Sequence, residues 1–287
     1  QAHGARYKGN LTGTFGDISA ASIMPEKPLP SAGEGGIILT DDEVLKDRAD
    51  MVRMFGEVTQ KEEERKYNAY TMGWNYRISP IVAAMTRSQL KRLDHYMEER
   101  RKNAKYISDG LRDMPGFNPP FIPEDRTSSY YIYRFSVDLG EAGFDTPIGP
   151  FREAVGDALR AEGVPVSLSQ YAPIPGQSLF QLKQGYGKGC PWSCGHYEGS
   201  AEYTIEDYPQ TLEILESTLA LDVRFFHPLI ERETQDMLLE AFRKVHDKFD
   251  EVKEHAEKLD YTQPWEKLSL LPPHEQPLEF VSDELEV

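Results

Sequence analysis

The sequence has little cysteine, fewer basic than acidic residues and no long apolar run. Two cysteines among 287 residues exclude a disulfide-stabilised scaffold, and together with the lack of a signal-peptide pattern they predict a cytoplasmic location. Because 48 acidic side chains outnumber 32 basic ones, the net charge of −16 disfavours binding to a nucleic-acid backbone or to an anionic membrane surface. No apolar stretch approaches the roughly 20 residues that span a bilayer.

Three motifs that mark common enzyme classes are also absent. The sequence contains no G-x-G-x-x-G turn, no P-loop and no H-E-x-x-H helix, so nucleotide-binding and metalloprotease functions have no support. In the stretch CPWSCGH, Cys190, Cys194 and His196 hint at zinc. A structural zinc site needs four ligands, and the other histidines are remote in sequence. A turn with two free thiols is therefore favoured, and no metal site is predicted.

The composition provides ample material for a packed core. Hydrophobic residues make up 39% of the chain and aromatic residues 11%, which excludes disorder throughout. The length allows one large domain or two of ordinary size. Because strand and helix patterns alternate along the chain, we predict an α/β fold with a second, smaller α/β domain.

Apolar periodicity predicts the main helices. One helix begins at Asp41 or Asp42, either of which can cap it, and stops at Gly56. Further helices are predicted at about residues 80–112, 148–161 and 233–255. In the helix at 80–112, Arg100 and Arg101 are expected on a solvated face.

Two strands matter for the site. A short buried strand is predicted from Ile37 to Leu39. Residues 129–139 alternate in strand fashion and place four apolar side chains on one face: Tyr131, Tyr133, Phe135 and Val137. The tyrosines of this stretch are interpreted as core and sheet surface rather than as a stacking platform.

Lys27 is the candidate catalytic residue. It lies in SIMPEKPLPSAGEGG, where prolines stiffen the chain and glycines allow another group to approach the backbone. A lysine that forms a Schiff base must be held in place and partly shielded from water. The local residues leave open a second interpretation, a solvated lysine in a surface loop.

Several segments resemble one enzyme family in order and spacing. TGTFGDISAASIMPEKPLPSAGEGGIILTDD resembles the cofactor-binding segment of the DegT/StrS family of sugar and cyclitol aminotransferases, which have fold type I and use pyridoxal 5′-phosphate (PLP). Further similar segments are QAHGARYKG, GWNYRISPIVAAMTRSQLKRLDHYMEERRKNA, YIYRFSVDL, LRAEGVPV and YGKGCPWSC. The resemblance covers roughly residues 1–250. It implies the C-terminal part of the fold type I large domain, followed by a smaller α/β domain.

The resemblance implies a role for five residues. Lys27 would form the Schiff base with PLP, Ser22 would donate a hydrogen bond to its phosphate, and Gln1 would lie beside its ring. Asn75 and Arg77 would reach the phosphate of the neighbouring subunit's cofactor, because the family's active sites lie at a homodimer interface. Hydroxyl, amide and guanidinium donors suit a phosphate group.

The resemblance also implies a domain organisation. The family's aspartate that pairs with the pyridine nitrogen should lie just before Gln1, so the chain is expected to be N-terminally truncated. Residues 1–88 would be the end of the large PLP-binding domain, residues 89–258 the linking helix and small domain, and residues 259–287 an acidic, proline-containing tail.

The implied activity is transamination from glutamate or glutamine to a keto-sugar or keto-cyclitol. A lysine at position 27 favours it, because relatives with histidine there carry out dehydration. Two alternatives remain open. One is a non-catalytic or truncated family member that acts as a dimerising or binding module. The other is an unrelated α/β protein that binds a small molecule.

Overall fold

The chain divides into two compact units. The computed structural model describes residues 1–58, 64–183, 185, 190–193, 195 and 197–269. The first unit comprises Gln1–Gly110, Pro120–Tyr133 and Asp222–Met237. The second unit comprises Leu111–Pro119, Arg134–Leu221 and the described residues from Leu238 onward. Each unit therefore gathers segments that are distant in sequence.

The described residues form short strands and longer helices. The strands are β1 (Arg6–Tyr7), β2 (Asn10–Leu11), β3 (Ser19–Ser22), β4 (Gly36–Leu39), β5 (Phe117–Asn118), β6 (Tyr133–Val137), β7 (Val166–Ser167) and β8 (Thr218–Leu221). The helices are α1 (Glu43–Arg53), α2 (Pro80–Leu90), α3 (Leu93–Arg112), α4 (Leu139–Ala142), α5 (Ile148–Ala161), α6 (Ser178–Gln181), α7 (Pro209–Ser217), α8 (Arg232–His246) and α9 (Phe249–Ala256). No helix among these is long and apolar enough to cross a membrane.

In the first unit, two antiparallel strand pairs precede the long helices. β1 pairs with β2, and β3 pairs with β4 in a register that places Ser22 opposite Gly36. Behind the second pair lies a small core of buried apolar side chains: Ile23, Leu29, Leu93 and Met97. This core anchors the loop between β3 and β4 to α3.

The prediction of a buried strand at residues 37–39 is wrong. β4 forms there, but Ile38 is 53% exposed and Leu39 is 48% exposed. Within the described residues β4 pairs only with β3, and α1 leaves a surface cavity of about 740 Å³ against the two strands. An apolar run indicates that a strand is suited to burial, but it does not indicate whether other helices or strands pack against both of its faces.

The N-terminal cap of α1 is confirmed. Asp42 accepts hydrogen bonds from the backbone N–H groups of Val44 and Leu45, at 2.7 and 3.1 Å. These bonds satisfy donors that have no partner inside the helix. Gly56, the predicted stop, lies just beyond the helix with φ of 77°, in the left-handed region that favours glycine.

Two predicted long helices are each divided in the structure, which corrects the continuous spans at 80–112 and 233–255. α2 ends at Leu90 and α3 begins at Leu93, while α8 ends at His246 and α9 begins at Phe249. Neither break contains glycine or proline, so apolar spacing alone carries no signal for it. The helix predicted at 148–161 forms at those residues as α5.

In the second unit, a four-stranded sheet has the order β5-β6-β8-β7. β5 and β6 are antiparallel, as are β7 and β8. The predicted alternation on β6 is confirmed, because Tyr133, Phe135 and Val137 are buried while the residues between them are half-buried. The strand is shorter than predicted, since it begins at Tyr133 and leaves Tyr131 outside it.

Candidate active site

The loop that carries Lys27 begins where β3 ends. The backbone N–H of Ile23 donates to the carbonyl of Gly35 at 3.1 Å, which closes the loop at its base. The backbone N–H of Lys27 donates to the carbonyl of Met24 at 2.9 Å, so the chain turns just before the lysine. Leu29, only 2% exposed, fixes the other side of the turn in the core. The loop is thus held at both ends around Lys27.

The Lys27 amine contacts a residue far away in sequence. Its Nζ lies 2.9 Å from the Oη of Tyr131 and 4.3 Å from the centre of that ring. Both side chains are half-buried. The interpretation of Lys27 as a freely solvated surface lysine therefore does not fit its surroundings.

His3 is the polar group near Lys27 that lacks a partner. Both ring nitrogens are buried, and neither makes a hydrogen bond within the described part of the chain. Burial lowers the pKa of His3, the nearby backbone of Ser22 opposes the shift, and the positive charge of Lys27 adds to it. His3, Ser22 and Lys27 therefore share one neighbourhood.

Ser22 and Gln1, two of the predicted cofactor ligands, both have exposed side chains. The Ser22 hydroxyl accepts a hydrogen bond from the Met24 N–H at 3.3 Å, and it stands one residue before the loop. Gln1 is held through its backbone, because its carbonyl accepts a hydrogen bond from the Ser129 hydroxyl at 2.7 Å. Their roles toward a cofactor stay predictions.

Asn75 and Arg77 contact each other. The Nε of Arg77 donates to the Oδ1 of Asn75 at 2.9 Å, and its guanidinium lies 5.1 Å from the ring centre of Phe55. Both side chains are exposed. They form a preassembled amide and guanidinium pair on the surface of the first unit, and their reach to a neighbouring subunit stays a prediction.

Arg100 and Arg101 are not on a solvated face, which corrects the prediction. Arg101 donates to the carbonyls of Gly4 and Ser128, at 2.6 and 3.0 Å. Burial lowers the pKa of both guanidinium groups. A run of charged residues on a helix is usually exposed to solvent. The sequence does not predict that distant backbone carbonyls accept hydrogen bonds from Arg101.

The stretch CPWSCGH, considered above for zinc, is only partly described by the structure. Cys194 and His196 lie outside the described residues, and Cys190 is half-buried. Across the described ranges, no three His, Cys, Asp or Glu side chains are grouped as a metal ion would require. The zinc hypothesis gains nothing from the structure.

The residues around Lys27 fit the cofactor that the resemblance implies. PLP carries an aldehyde, a phosphate and a phenolic oxygen, which require an amine and several hydrogen-bond donors. The neighbourhood offers the Lys27 amine, an exposed Ser22 hydroxyl and an imidazole at His3 that is buried without a partner. A buried polar atom without a partner is costly, and a bound ligand is one way to satisfy it.

Acid is expected to destabilise the first unit through His3. Since the folded state lowers the pKa of His3 below its ordinary value of 6.5, the unfolded chain binds the proton more readily. The contribution of the neutral ring is therefore complete above about pH 6.5 and is lost as the pH falls below it. Urea unfolding between pH 7.5 and 5 measures the slope, which for one group stays below about 1.4 kcal/mol per pH unit.

The matched control for His3→Gln is His95→Gln, because His95 is exposed in the same unit. His3→Gln is expected to flatten the slope, and His95→Gln is expected to keep it. An unchanged slope in His3→Gln would contradict the assignment.

Comparison with known proteins identifies the family. The family model "DegT/DnrJ/EryC1/StrS aminotransferase family" matches residues 1–200. The chain is 30% identical over 253 residues to L-glutamine:2-deoxy-scyllo-inosose aminotransferase of Micromonospora echinospora, covering 85% of this chain and 56% of that protein. It is 35% identical over 136 residues to dTDP-3-amino-3,4,6-trideoxy-alpha-D-glucose transaminase of Micromonospora megalomicea, covering 46% and 35%. The chain thus spans about half, or less, of the length of these relatives.

A solved structure supports the fold. The PLP form of Spr1654 from Streptococcus pneumoniae matches with a TM-score of 0.62 at 18% identity, covering 86% of this chain and 56% of that one. The α/β fold type I prediction is therefore confirmed. On the extent of the family match, the chain belongs to the DegT/DnrJ/EryC1/StrS aminotransferase family.

Proposed function

We propose that the protein is a PLP-dependent transaminase that moves an amino group from glutamate or glutamine to a keto-sugar or keto-cyclitol. The observation that carries the proposal is the position of Lys27, whose half-buried amine donates to the Tyr131 hydroxyl and acts electrostatically on His3, a buried imidazole without a hydrogen-bond partner in the described chain. Such an amine can both bind an aldehyde and transfer a proton.

The chain's own residues would have distinct tasks. Lys27 would hold the cofactor through Nζ, and the same atom, when free, would take up and return a proton. Ser22 would donate to the phosphate, and Gln1 would lie beside the ring. PLP, when bound, supplies an aldehyde carbon that condenses with amines and a ring that accepts the resulting electron pair.

The substrate class follows the named relatives. One relative is named for a glutamine donor and an inosose, which is a keto-cyclitol, and another for a nucleotide-linked amino-trideoxy sugar. The match to the first covers much more of this chain, which supports the keto-cyclitol class and glutamine as the donor. We retain keto-sugars and glutamate as the second choice.

We further propose a homodimer with active sites at its interface. Asn75 and Arg77 are exposed, and a hydrogen bond already holds them side by side. Both side chains can therefore be reached by a phosphate bound to the other copy. Large apolar side chains around them are exposed as well, and they suit a contact surface: Met72, Trp74, Tyr76 and Ile81.

In this proposal residues 1–88 belong to the PLP-binding domain, residues 89–258 to the linking helix and small domain, and residues 259–287 to the acidic tail, of which 270–287 lie outside the described residues.

The alternative is a binding module that dimerises without catalysis in the cytoplasm. The same exposed apolar surface favours it. A transfer assay separates the two functions: glutamine and glutamate are each offered with a panel of keto-cyclitols and nucleotide-linked keto-sugars in the presence of PLP. We expect amino transfer to one acceptor class, whereas a chain that dimerises and shows no transfer to any acceptor would contradict the enzyme assignment.

A further inference from the structure

The contact between Lys27 and Tyr131 joins two parts of the chain that are 104 residues apart. The side-chain amine meets both the hydroxyl and the face of the aromatic ring. Lys8 shows a contact between lysine and tyrosine that sequence adjacency produces: its Nζ lies 5.2 Å from the ring centre of Tyr7, its neighbour in sequence. Adjacency explains the Lys8 contact, but it does not explain the contact at Lys27.

Tyr131 is brought to Lys27 by residues 127–131, here named the supporting segment. The backbone N–H of Thr127 donates to the carbonyl of Arg6 at 2.9 Å, and the N–H of Arg6 donates to the Thr127 hydroxyl at 2.9 Å. Ser129 is buried and donates to the carbonyl of Gln1. The supporting segment is therefore fixed to residues 1–6, the same stretch that contains His3.

A half-buried cation joins these two stretches. Arg101, on α3, donates to Gly4 and to Ser128 at the same time. Hydrogen bonds from a charged donor are about twice as strong as neutral ones, and here they satisfy two carbonyls at once. Since Leu29 fixes the loop of Lys27 against the core that includes Met97 on α3, the helix sets the positions of both partners.

We infer that Tyr131 is a positioning residue for Lys27: its hydroxyl accepts a hydrogen bond from Nζ while its ring covers one side of the amine. This inference rests on the proposed function. An amine that binds one carbon and then moves one proton must occupy a narrow range of positions, and a lysine side chain has many rotamers. The hydroxyl and the ring together remove most of that freedom before any ligand arrives.

The contact is tested first without a cofactor. Reductive methylation with ¹³C-formaldehyde gives a dimethylated Lys27 that stays cationic and keeps one N–H for Tyr131. Because its methyl groups then lie against an aromatic ring, their proton resonance is expected upfield of those of exposed lysines. Lys27→Arg identifies the resonance by removing it. A Lys27 resonance among those of exposed lysines in the unsubstituted chain would overturn the inference.

The variants separate the ring from the hydroxyl. Tyr131→Leu is expected to move the Lys27 resonance to the exposed position, and Tyr131→Phe is expected to keep its ring-induced shift. Tyr171→Phe, an exposed tyrosine of the second unit, is the control and is expected to change nothing. A shifted resonance that persists in Tyr131→Leu would show that another group covers the amine and would overturn the inference.

The positioning role is tested by the rate at which PLP is trapped on Lys27 by borohydride. Tyr131→Phe is expected to slow trapping on the peptide of residue 27 about tenfold, as the loss of one hydrogen bond to a charged group implies. Labelling of the Lys8 peptide is expected to be unchanged, and in the transfer assay kcat should fall while KM stays constant. Equal trapping rates would overturn the inference. Failure to trap Lys27 in the unsubstituted chain would instead overturn the proposed function, even with a shifted resonance.

Discussion

Lys27→Ala is expected to lower amino transfer by a factor on the order of 10³ or more, since it removes the group that both binds the cofactor and moves the proton. Lys27 is the residue that the family motif, the loop geometry and the nearby His3 all indicate. The measurement is transfer from the donor to the acceptor that the panel described above identifies. Lys8→Ala serves as the control, because Lys8 is exposed and also lies near a tyrosine ring.

A second readout distinguishes lost chemistry from lost folding. A small amine such as methylamine can supply a proton acceptor in the space that Lys27→Ala leaves, so partial recovery of transfer in its presence is expected. Transfer that persists at the unsubstituted level in Lys27→Ala would refute the assignment of Lys27 as the catalytic residue.

Phe117→Ala is expected to reduce the free energy of unfolding by about 3–5 kcal/mol. Phe117 is 1% exposed, and its ring centre lies 5.0 Å from that of Phe242 and 5.2 Å from that of Phe249. Removal of the ring leaves a cavity among aromatic side chains that cannot all move to fill it. Urea unfolding followed by circular dichroism measures the loss.

Phe121→Ala is the matched control for the core substitution. Phe121 lies four positions further along the chain and is 86% exposed, so its loss is expected to change the unfolding free energy by no more than about 0.5 kcal/mol. Similar losses in the two variants would contradict the assignment of Phe117 to the core of the second unit.

Local signals in the sequence predicted local structure well. Asp42 was identifiable as a cap because a carboxylate before an apolar-periodic stretch has a specific use there, and it caps α1 as expected. The inward face of β6 followed from period-two alternation. Both features depend on residues within one element, so spacing alone contains the information.

Features that depend on distant partners were missed. Arg101 reads as one more charge on a helix face, and only the fold shows that Gly4 and Ser128 meet it. Ile38 and Leu39 read as buried, although in the described chain they are exposed. The sequence pattern records which side chains prefer burial, whereas coverage depends on elements far away in the chain.

The candidate site also has a part that local sequence predicts and a part that depends on distant residues. Lys27 and Ser22 were found because an ordered motif surrounds them. Tyr131 was interpreted as part of a strand face, and its role at Lys27 depends on the supporting segment, which brings it to a lysine 104 positions away in sequence. No spacing rule connects the two positions.

The central claim is that the Lys27 amine is the group in this protein that binds an aldehyde cofactor. Its most direct test is to incubate the unsubstituted chain with PLP, reduce it with borohydride and locate the label by peptide mass spectrometry. We predict saturable labelling concentrated on the peptide of residue 27, with Lys8 labelled weakly. Label distributed over the exposed lysines, with no enrichment at residue 27, would contradict the account.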